Sequence, residues 1–240
     1  MQRTYKQMRV HEILFYHILP GVPVLFLAVV LSIASFVFGL QIFFSLLIIF
    51  ALYLIPVQWA ILILTAHKEK KKLIETIGFH SKMPMKNMIL YALPGIVFAA
   101  FIFTFGTKIE QPIWISGIFS GVPEWFIVDR YASNIGSLLP LTIILNFIFR
   151  GFLLPFTEEI YFRGFLLPRM NKFGKFAPLI SAALFSIYHL FAPWENISRM
   201  IAVLPFIYIV YCKKNICIGI ISHCMVNFLS CFVIFLALLQ

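Results

Sequence analysis

Charged residues are scarce in this 240-residue sequence: Asp, Glu, Lys and Arg make up 12% of it, whereas 62% is hydrophobic. A soluble domain of this length could not bury so much apolar side-chain surface. The composition therefore excludes a soluble globular protein. Apolar stretches long enough to cross the ~30 Å hydrocarbon core of a bilayer recur along the whole chain, so the sequence predicts a membrane protein.

Internal repeats, low-complexity tracts and polar linkers are also missing, so nothing divides the sequence into separate folding units. We predict an all-α fold, a polytopic membrane helical bundle of about seven transmembrane helices with a polar intramembrane cavity. Residues 1–136 would hold about three spans and an outer loop, and residues 137–240 a four-helix core, together one folding unit. Pro155 predicts a kink or break in the fourth span. The predicted spans are residues 13–37, 41–66, 88–106, 137–166, 176–193, 197–212 and 216–238.

Lysine and arginine cluster before the first span and in the short intervals after the second, fourth and sixth spans. The formal net charge of +10 therefore reports orientation in the lipid bilayer, and we predict no nucleic-acid partner. This pattern predicts a cytoplasmic N-terminus and an outer C-terminus. A compact chain without extra soluble domains fits a multi-pass protein of a cell membrane, with the bacterial cytoplasmic membrane favoured and an organellar membrane as the alternative. Residues 107–135 mix Trp, Gly and Pro with a few charges, which predicts an interfacial outer loop; a lid over a cavity is an alternative.

Several motifs of familiar catalytic sites are missing. Asp129 is the only aspartate in the chain, which excludes an intramembrane aspartate pair. The sequence contains neither H-E-x-x-H nor G-x-S-x-G. Its four cysteines, Cys212, Cys217, Cys224 and Cys231, lack the paired spacing of a zinc site. We predict that they are free thiols packed in the bundle.

What the sequence does contain is a charged group inside an apolar stretch, in "TEEIYFRGFL" at residues 157–166. A charge at the centre of a membrane helix costs about 3 kcal/mol, so these groups need partners. Glu159 and Arg163 are four apart, a spacing that favours an ion pair on one helix face. Glu158 is rotated about 100° from Glu159 around the helix, so Arg163 can neutralise one carboxylate while the other points elsewhere. Alternatively, the span ends near residue 157 and these side chains lie in interfacial water.

Two further spans carry polar pairs at helical spacing. Phe185 and His189 share one face of the fifth predicted span, and His223 and Asn227 share one face of the seventh. Either pair alone could be an ordinary structural device. Together with Glu158, they could bring a carboxylate, two imidazoles and an amide to one cavity. Such a set could activate water and stabilise an oxyanion, as hydrolysis of an amide bond requires.

The order E-E-x-x-x-R, F-x-x-x-H and H-x-x-x-N resembles the three motifs of the CPBP family of intramembrane proteases. This family is also called the Abi or CAAX-protease family, and it includes type II CAAX prenyl endopeptidases and bacteriocin-immunity proteins. The likeness covers residues 137–231. It implies that residues 137–240 form a catalytic core whose cavity opens toward the cytoplasmic side.

The resemblance also implies roles for single residues. Glu158 would be the general base that activates water, assisted by His189. His223 and Asn227 would form the oxyanion site. Arg163 would hold Glu159 and the local structure. Arg150, in the same span, lies outside the motifs and would either support the cavity or pair with a backbone carbonyl or snorkel.

The cofactor is left open by the sequence. Glu158, His189 and His223 could hold a zinc ion with an open water position, as in a metalloprotease, or could work without a metal. The expected partner is a membrane-associated peptide or protein substrate, with a CAAX-like sequence as one alternative. A non-catalytic scaffold or immunity-type protein could use the same fold. A transporter would need matched broken helices in an inverted repeat, which the sequence lacks.

Overall fold

The computed structural model describes residues 5–38, 42–123 and 139–238. These residues are nearly all helical and contain no strand; a single antiparallel bridge joins His80 to Asn215. The α-helices are α1 (Val10–Ile18), α2 (Gly21–Phe38), α3 (Ile42–Ile49), α4 (Ile55–Lys68), α5 (Leu73–Thr76), α6 (Met85–Phe101), α7 (Thr107–Ser116), α8 (Leu139–Leu145), α9 (Leu154–Glu158), α10 (Ala177–Ile187), α11 (Asn196–Lys213) and α12 (Ile216–Leu238).

Several of these helices join end to end into longer apolar ones. Within the described part of the chain, six are long and apolar enough to cross a membrane. The protein is therefore a polytopic membrane helical bundle, as predicted. The six candidate spans are Val10–Ala34, Ser45–Lys68, Met85–Ser116, Pro140–Arg169, Pro193–Lys213 and Ile216–Leu236.

The predicted number of about seven spans is not confirmed, because the fifth prediction, residues 176–193, corresponds to a short helix. α10 has 11 residues and is about 16 Å long, roughly half of the hydrocarbon thickness. The apolar sequence continues after Ile187, but the helix ends there and a 3₁₀ turn at Pro193–Glu195 leads into α11. Hydropathy therefore detected the apolar run without detecting where its helix stops.

The third span is longer than predicted. α6 continues through a π-helical turn, Ile102–Gly106, into α7, which occupies part of the interval assigned to an outer loop. Glu110 on α7 explains this extension, because its carboxylate accepts hydrogen bonds from the backbone N–H groups of Ile197 and Ser198 at 2.7 and 2.6 Å. This contact anchors α7 to the start of α11. Residues 124–138, which include the rest of the predicted loop or lid, lie outside the described residues.

The fourth span is the central element of the bundle, and every residue from 157 to 170 is buried. Pro155 neither stops the helix nor interrupts it. Instead, the short α9 that contains Pro155 lies between two π-helical segments, Asn146–Leu153 and Glu159–Leu166. π-Helical turns within α-helices often occur at functional sites. The paired glutamates lie at the junction between α9 and the second π segment.

Side chains of α12 donate hydrogen bonds to backbone carbonyls of the first π segment. Asn227 Nδ2 donates to the carbonyl of Arg150 at 3.1 Å. The thiols of Cys224 and Cys231 approach the carbonyls of Phe152 and Asn146 at 3.8 and 3.6 Å. All four cysteines are free, as predicted, but Cys212 and Cys217 are exposed, so the prediction that all four pack inside the bundle is wrong for these two. Cys224 and Cys231 also serve as weak donors between these helices.

The lysine-rich end of the bundle carries the lysines of residues 68–72 and 213–214, and here Arg169 connects the interval after the second span to the fourth span. Its Nη1 donates to the carbonyls of Thr76 and Phe165 at 2.9 and 2.8 Å, and its Nη2 lies 3.7 Å from Glu69 Oε1. Burial alone would raise the pKa of Glu69, but a hydrogen bond from Lys71 and the charge of Arg169 lower the pKa below its usual value. Glu69 is thus an ionised partner at the edge of the bundle.

Candidate active site

Glu159 and Arg163 form a fully buried ion pair. Arg163 Nη1 lies 3.1 Å from Glu159 Oε1, and both side chains have 0% exposure. This geometry confirms the predicted i,i+4 pair and contradicts the alternative of side chains in interfacial water. Gly219 on α12 leaves room for the carboxylate, since a Cβ atom at this position would overlap Glu159 Oε2. A buried pair of this kind is costly to break, because either partner alone would be an uncompensated charge.

Glu158 points into a second set of polar groups. Its Oε1 accepts a hydrogen bond from the hydroxyl of Tyr188 at 2.9 Å and lies 4.0 Å from Nε2 of His189. Its Oε2 lies 3.8 Å from Nε2 of His223. The carboxylate is 2% exposed. The fourth span, the turn after α10 and the last helix thus bring one acid and two imidazoles together, as the sequence predicted.

The two imidazoles are oriented in the same way. Nδ1 of His189 lies 2.8 Å from the carbonyl oxygen of Phe185, and Nδ1 of His223 lies 2.9 Å from Glu159 Oε1. A carbonyl or an ionised carboxylate can only accept a hydrogen bond, so Nδ1 of each ring is the donor. Nε2 of each ring is then directed toward Glu158. The distances of 3.8 and 4.0 Å are too long for direct hydrogen bonds to Glu158.

The ring of Phe185 packs against Arg163 and against both imidazoles. Cζ of Arg163 lies 4.1 Å from the centroid of its ring, a cation–π contact. The same ring meets His189 and His223 edge to face, with centroid distances of 4.9 and 5.7 Å. These contacts explain why the second motif contains a phenylalanine. Its ring packs against both imidazoles and covers the guanidinium of Arg163.

Asn227 lies one helical turn beyond His223 but is engaged elsewhere. Its Nδ2 donates to the carbonyl of Arg150, and the side chain is partly exposed. The amide nitrogen carries two protons, and this bond uses one of them. Asn227 is thus held by the first π segment rather than by the carboxylate of Glu158. Arg150 contributes here through its backbone.

Two buried polar residues near Glu158 were not predicted from the sequence: Tyr188 and Gln58. Tyr188 is one of nine tyrosines, and its position next to His189 was the only available signal. Gln58 comes from α4 and donates from Nε2 to the hydroxyl of Tyr188 at 3.4 Å. Its signal was a lone amide in a strongly apolar span, but 130 residues separate it from its partner.

The predicted zinc ligands are close together without forming a metal-binding set. Among the described residues, no group of three His, Cys, Asp or Glu side chains is arranged to hold a metal ion. Glu158, His189 and His223 converge, but their facing atoms are nearly 4 Å apart. Tetrahedral zinc, with ligand bonds of about 2.0–2.1 Å, would draw these atoms closer. Zinc therefore stays a prediction from the sequence.

Fold and site together define a class: a multi-pass helical membrane protein with a buried glutamate and two histidines around one point. A family model described as "Type II CAAX prenyl endopeptidase Rce1-like" matches residues 140–229. This segment contains all three motifs, from Glu158 to Asn227. The match confirms the resemblance to the CPBP, or CAAX-protease, family that the motifs indicated. No curated protein and no solved structure matches the chain.

Proposed function

We propose that this protein is an intramembrane endopeptidase that hydrolyses a peptide bond in a membrane-associated substrate. The observation that carries this proposal is the position of the Glu158 carboxylate, buried and facing Nε2 of both His189 and His223 at 4.0 and 3.8 Å. A water molecule between these three groups would lie within hydrogen-bond reach of all of them. The family match supports protease chemistry at this site.

In the proposed reaction, Glu158 accepts a proton from water and the resulting hydroxide attacks the scissile carbonyl carbon. The C=O π electrons move to oxygen and give a tetrahedral oxyanion. When the C–N bond breaks, the proton held by Glu158 passes to the leaving nitrogen and the carboxylate is restored. Because Nδ1 of His189 is occupied by a backbone carbonyl, its Nε2 can accept a hydrogen bond from the water and orient it.

His223 and Asn227 are proposed to stabilise the oxyanion. Glu159 lies against Nδ1 of His223, so it can balance a positive ring whose Nε2 proton points at the developing charge. The second amide proton of Asn227 is free of the bond to Arg150 and could reach the same oxygen. Arg163 then acts through Glu159, because it holds the carboxylate that orients His223. We derive no step through a metal ion.

The site lies inside the bundle, closer to its lysine-rich end. His223 follows Ile216, the first residue of α12, by seven positions, which corresponds to about 10 Å along the helix. Lys213 and Lys214 immediately precede α12. If the positive-inside pattern sets the orientation, the N-terminus is cytoplasmic and the substrate is cleaved near the cytoplasmic leaflet. The bacterial cytoplasmic membrane remains our proposed location.

The test compares wild-type protein with Glu158→Gln in a deletion strain and in purified form. Comparative proteomics of membrane fractions should reveal peptide termini that wild type creates and Glu158→Gln does not. With purified protein, an internally quenched farnesylated peptide ending in Cys-a-a-X tests the CAAX-type substrate directly. Glu12→Gln, at the start of α1 and bonded to Arg9, is the matched control. It should cleave like wild type.

The same experiment separates catalysis from a scaffold or immunity role. A scaffold needs the folded surface but not the catalytic carboxylate of Glu158. Glu158→Gln would therefore complement the deletion phenotype fully. Full complementation, together with identical peptide termini in all strains, would refute the endopeptidase. Loss of cleavage in Glu158→Gln, with wild-type abundance in the membrane, is the expected result.

A further inference from the structure

We infer that Tyr188 and Gln58 are positioning residues that hold the carboxylate of Glu158 in the orientation facing the two histidines. The catalytic meaning of this inference rests on the proposed function. The positioning of the carboxylate does not depend on the proposed function, because the hydrogen bonding of the Glu158 carboxyl group can be measured without a substrate. The two failures can therefore be told apart.

The three residues form a directed chain of hydrogen bonds. Gln58 Nε2 donates to the Tyr188 hydroxyl at 3.4 Å, and that hydroxyl donates to Glu158 Oε1 at 2.9 Å. A phenol has one proton and can also accept. The nitrogen of Gln58 can only donate, so the phenol accepts from it and its proton is left for the carboxylate. Gln58 and Tyr188 are completely buried, so water does not compete for these bonds.

This chain determines which way the carboxylate faces. The last torsion of a glutamate side chain is broad, so an unrestrained carboxylate rotates freely between orientations. The phenol engages Oε1 on the side of His189. Oε2 is then left toward His223 at 3.8 Å. Loss of the phenol would release this torsion and spread the carboxylate over orientations that do not face both imidazoles.

The backbone of Tyr188 is itself held firmly. Its N–H donates to the carbonyl of Leu184 at 2.9 Å, which continues the last turn of α10. Its carbonyl packs so closely against Gly21 that a Cβ atom on Gly21 would overlap it. Its ring contacts Phe162, with centroids 5.0 Å apart. The next residue is His189, so a single turn of chain delivers both the phenol and one imidazole to Glu158.

Gln58 connects the second span to a site otherwise built from the fourth span, the end of α10 and α12. Burial of an amide in an apolar membrane helix costs free energy unless the amide has polar partners. The complete burial of Gln58 therefore indicates that hydrogen bonding is its role at this position. Trp59, the next residue, reinforces this attachment because its Nε1 donates to the hydroxyl of Thr157 at 3.2 Å. The N-terminal part of the chain thus contributes to the geometry of the site.

The direct test is infrared spectroscopy of purified protein in detergent. The Glu158 carboxyl band is isolated as the difference between each protein and the same protein carrying Glu158→Gln. Tyr188→Phe should shift this band, Gln58→Met should shift it less, and the double variant should match Tyr188→Phe. The control is Tyr161→Phe, which removes another buried phenol, bonded at 2.7 Å to the carbonyl of Tyr16. It should leave the band unchanged.

Cleavage of the farnesylated peptide is the second measurement. Tyr188→Phe should lower kcat about 10- to 100-fold, the value of a hydrogen bond to a charged group, with KM within about twofold. Gln58→Met should lower kcat about threefold, as for one neutral hydrogen bond. The double variant should be no worse than Tyr188→Phe, because Gln58 acts only through the phenol. A purely structural effect would instead lower the folded fraction, and the two losses would add.

The inference is overturned if the Glu158 band is unchanged in Tyr188→Phe, or if kcat stays within twofold of wild type. If wild type does not cleave the peptide, the band shift still decides the positioning role, and only the proposed function is in question. If Tyr188→Phe does not fold, Gln58→Met decides alone. An unshifted band and unchanged kcat in that variant would overturn the inferred chain, because Gln58 acts on Glu158 only through the phenol.

Discussion

Replacement of Gly219 by alanine is a sharp test of how the buried pair controls the site. A Cβ atom at Gly219 would overlap Glu159 Oε2 and approach Val210 Cγ2 at 3.0 Å, whereas ordinary contacts begin near 3.4 Å. The Glu159 carboxylate would therefore have to move by roughly 1 Å. It is fully buried and is fastened to Arg163 at 3.1 Å and to His223 at 2.9 Å. Any such movement must lengthen one of these contacts.

The expected magnitude follows from two opposing effects. Weakening one hydrogen bond to a charged group costs about 1.5–3 kcal/mol, and more when a buried ion pair is disturbed. Alanine is a better helix former than glycine by about 1 kcal/mol, which offsets part of this cost. We expect the free energy of unfolding of Gly219→Ala to fall by about 1–3 kcal/mol. The kcat for the quenched peptide should fall at least about tenfold, because His223 loses its orienting carboxylate.

Thermal unfolding of purified protein in detergent and peptide cleavage are the two measurements. Gly151→Ala is the matched control, since its added Cβ would lie 3.6 Å from Cys231 Sγ, an ordinary contact within the same bundle. That variant should be as stable as wild type or slightly more stable, with unchanged kcat. A Gly219→Ala protein with the melting temperature and kcat of wild type would show that the Glu159 carboxylate is not confined as described.

Three further predictions concern charged groups. Arg163→Met should lower the free energy of unfolding by about 3–5 kcal/mol, and addition of Glu159→Gln should recover part of the loss in the same thermal assay; a simple sum of the two losses would contradict this. Glu69→Gln should cost about 1 kcal/mol near pH 7, after allowance for partial solvent screening. Because the pKa of Glu69 is lowered in the folded protein, its contribution is present above the usual carboxyl value of 4.5 and disappears as the pH falls below it; melting temperatures that differ equally at pH 7 and pH 3 would argue against this. For the zinc alternative, elemental analysis should find one zinc per chain that is lost in His189→Ala, and equal zinc content in both proteins would argue against a metal at this site.

The sequence was sufficient for features whose cause is local. The four-residue spacing of Glu159 and Arg163 forces both side chains to one helix face, and burial then leaves each as the natural partner of the other. The convergence of Glu158 with His189 and His223 was predictable for a similar reason. Each is a polar residue in an apolar stretch of sequence, so each is expected to contact other polar groups inside the bundle.

What the sequence could not predict depends on where helices end and on contacts distant in the chain. The end of α10 at Ile187 was missed because Leu190 and Phe191 extend the apolar stretch beyond the polar residues Tyr188 and His189. Gln58 and Tyr188 meet through the packing of α4 against the fourth span, which no spacing rule contains. The π-helical segments on either side of Pro155 were equally hidden, since a proline predicts a disturbed helix without saying what form it takes.

The thiols that face the first π segment can report separation of α12 from the fourth span in the native protein. Cys224 and Cys231 are held only by weak sulfur contacts to backbone carbonyls, and Cys231 is completely buried. Parting of α12 from the fourth span would expose Cys231 to a small membrane-permeant alkylating reagent. Mass spectrometry of its labelling rate, with and without substrate, would therefore follow the opening of the bundle in native protein, with no engineered reporter.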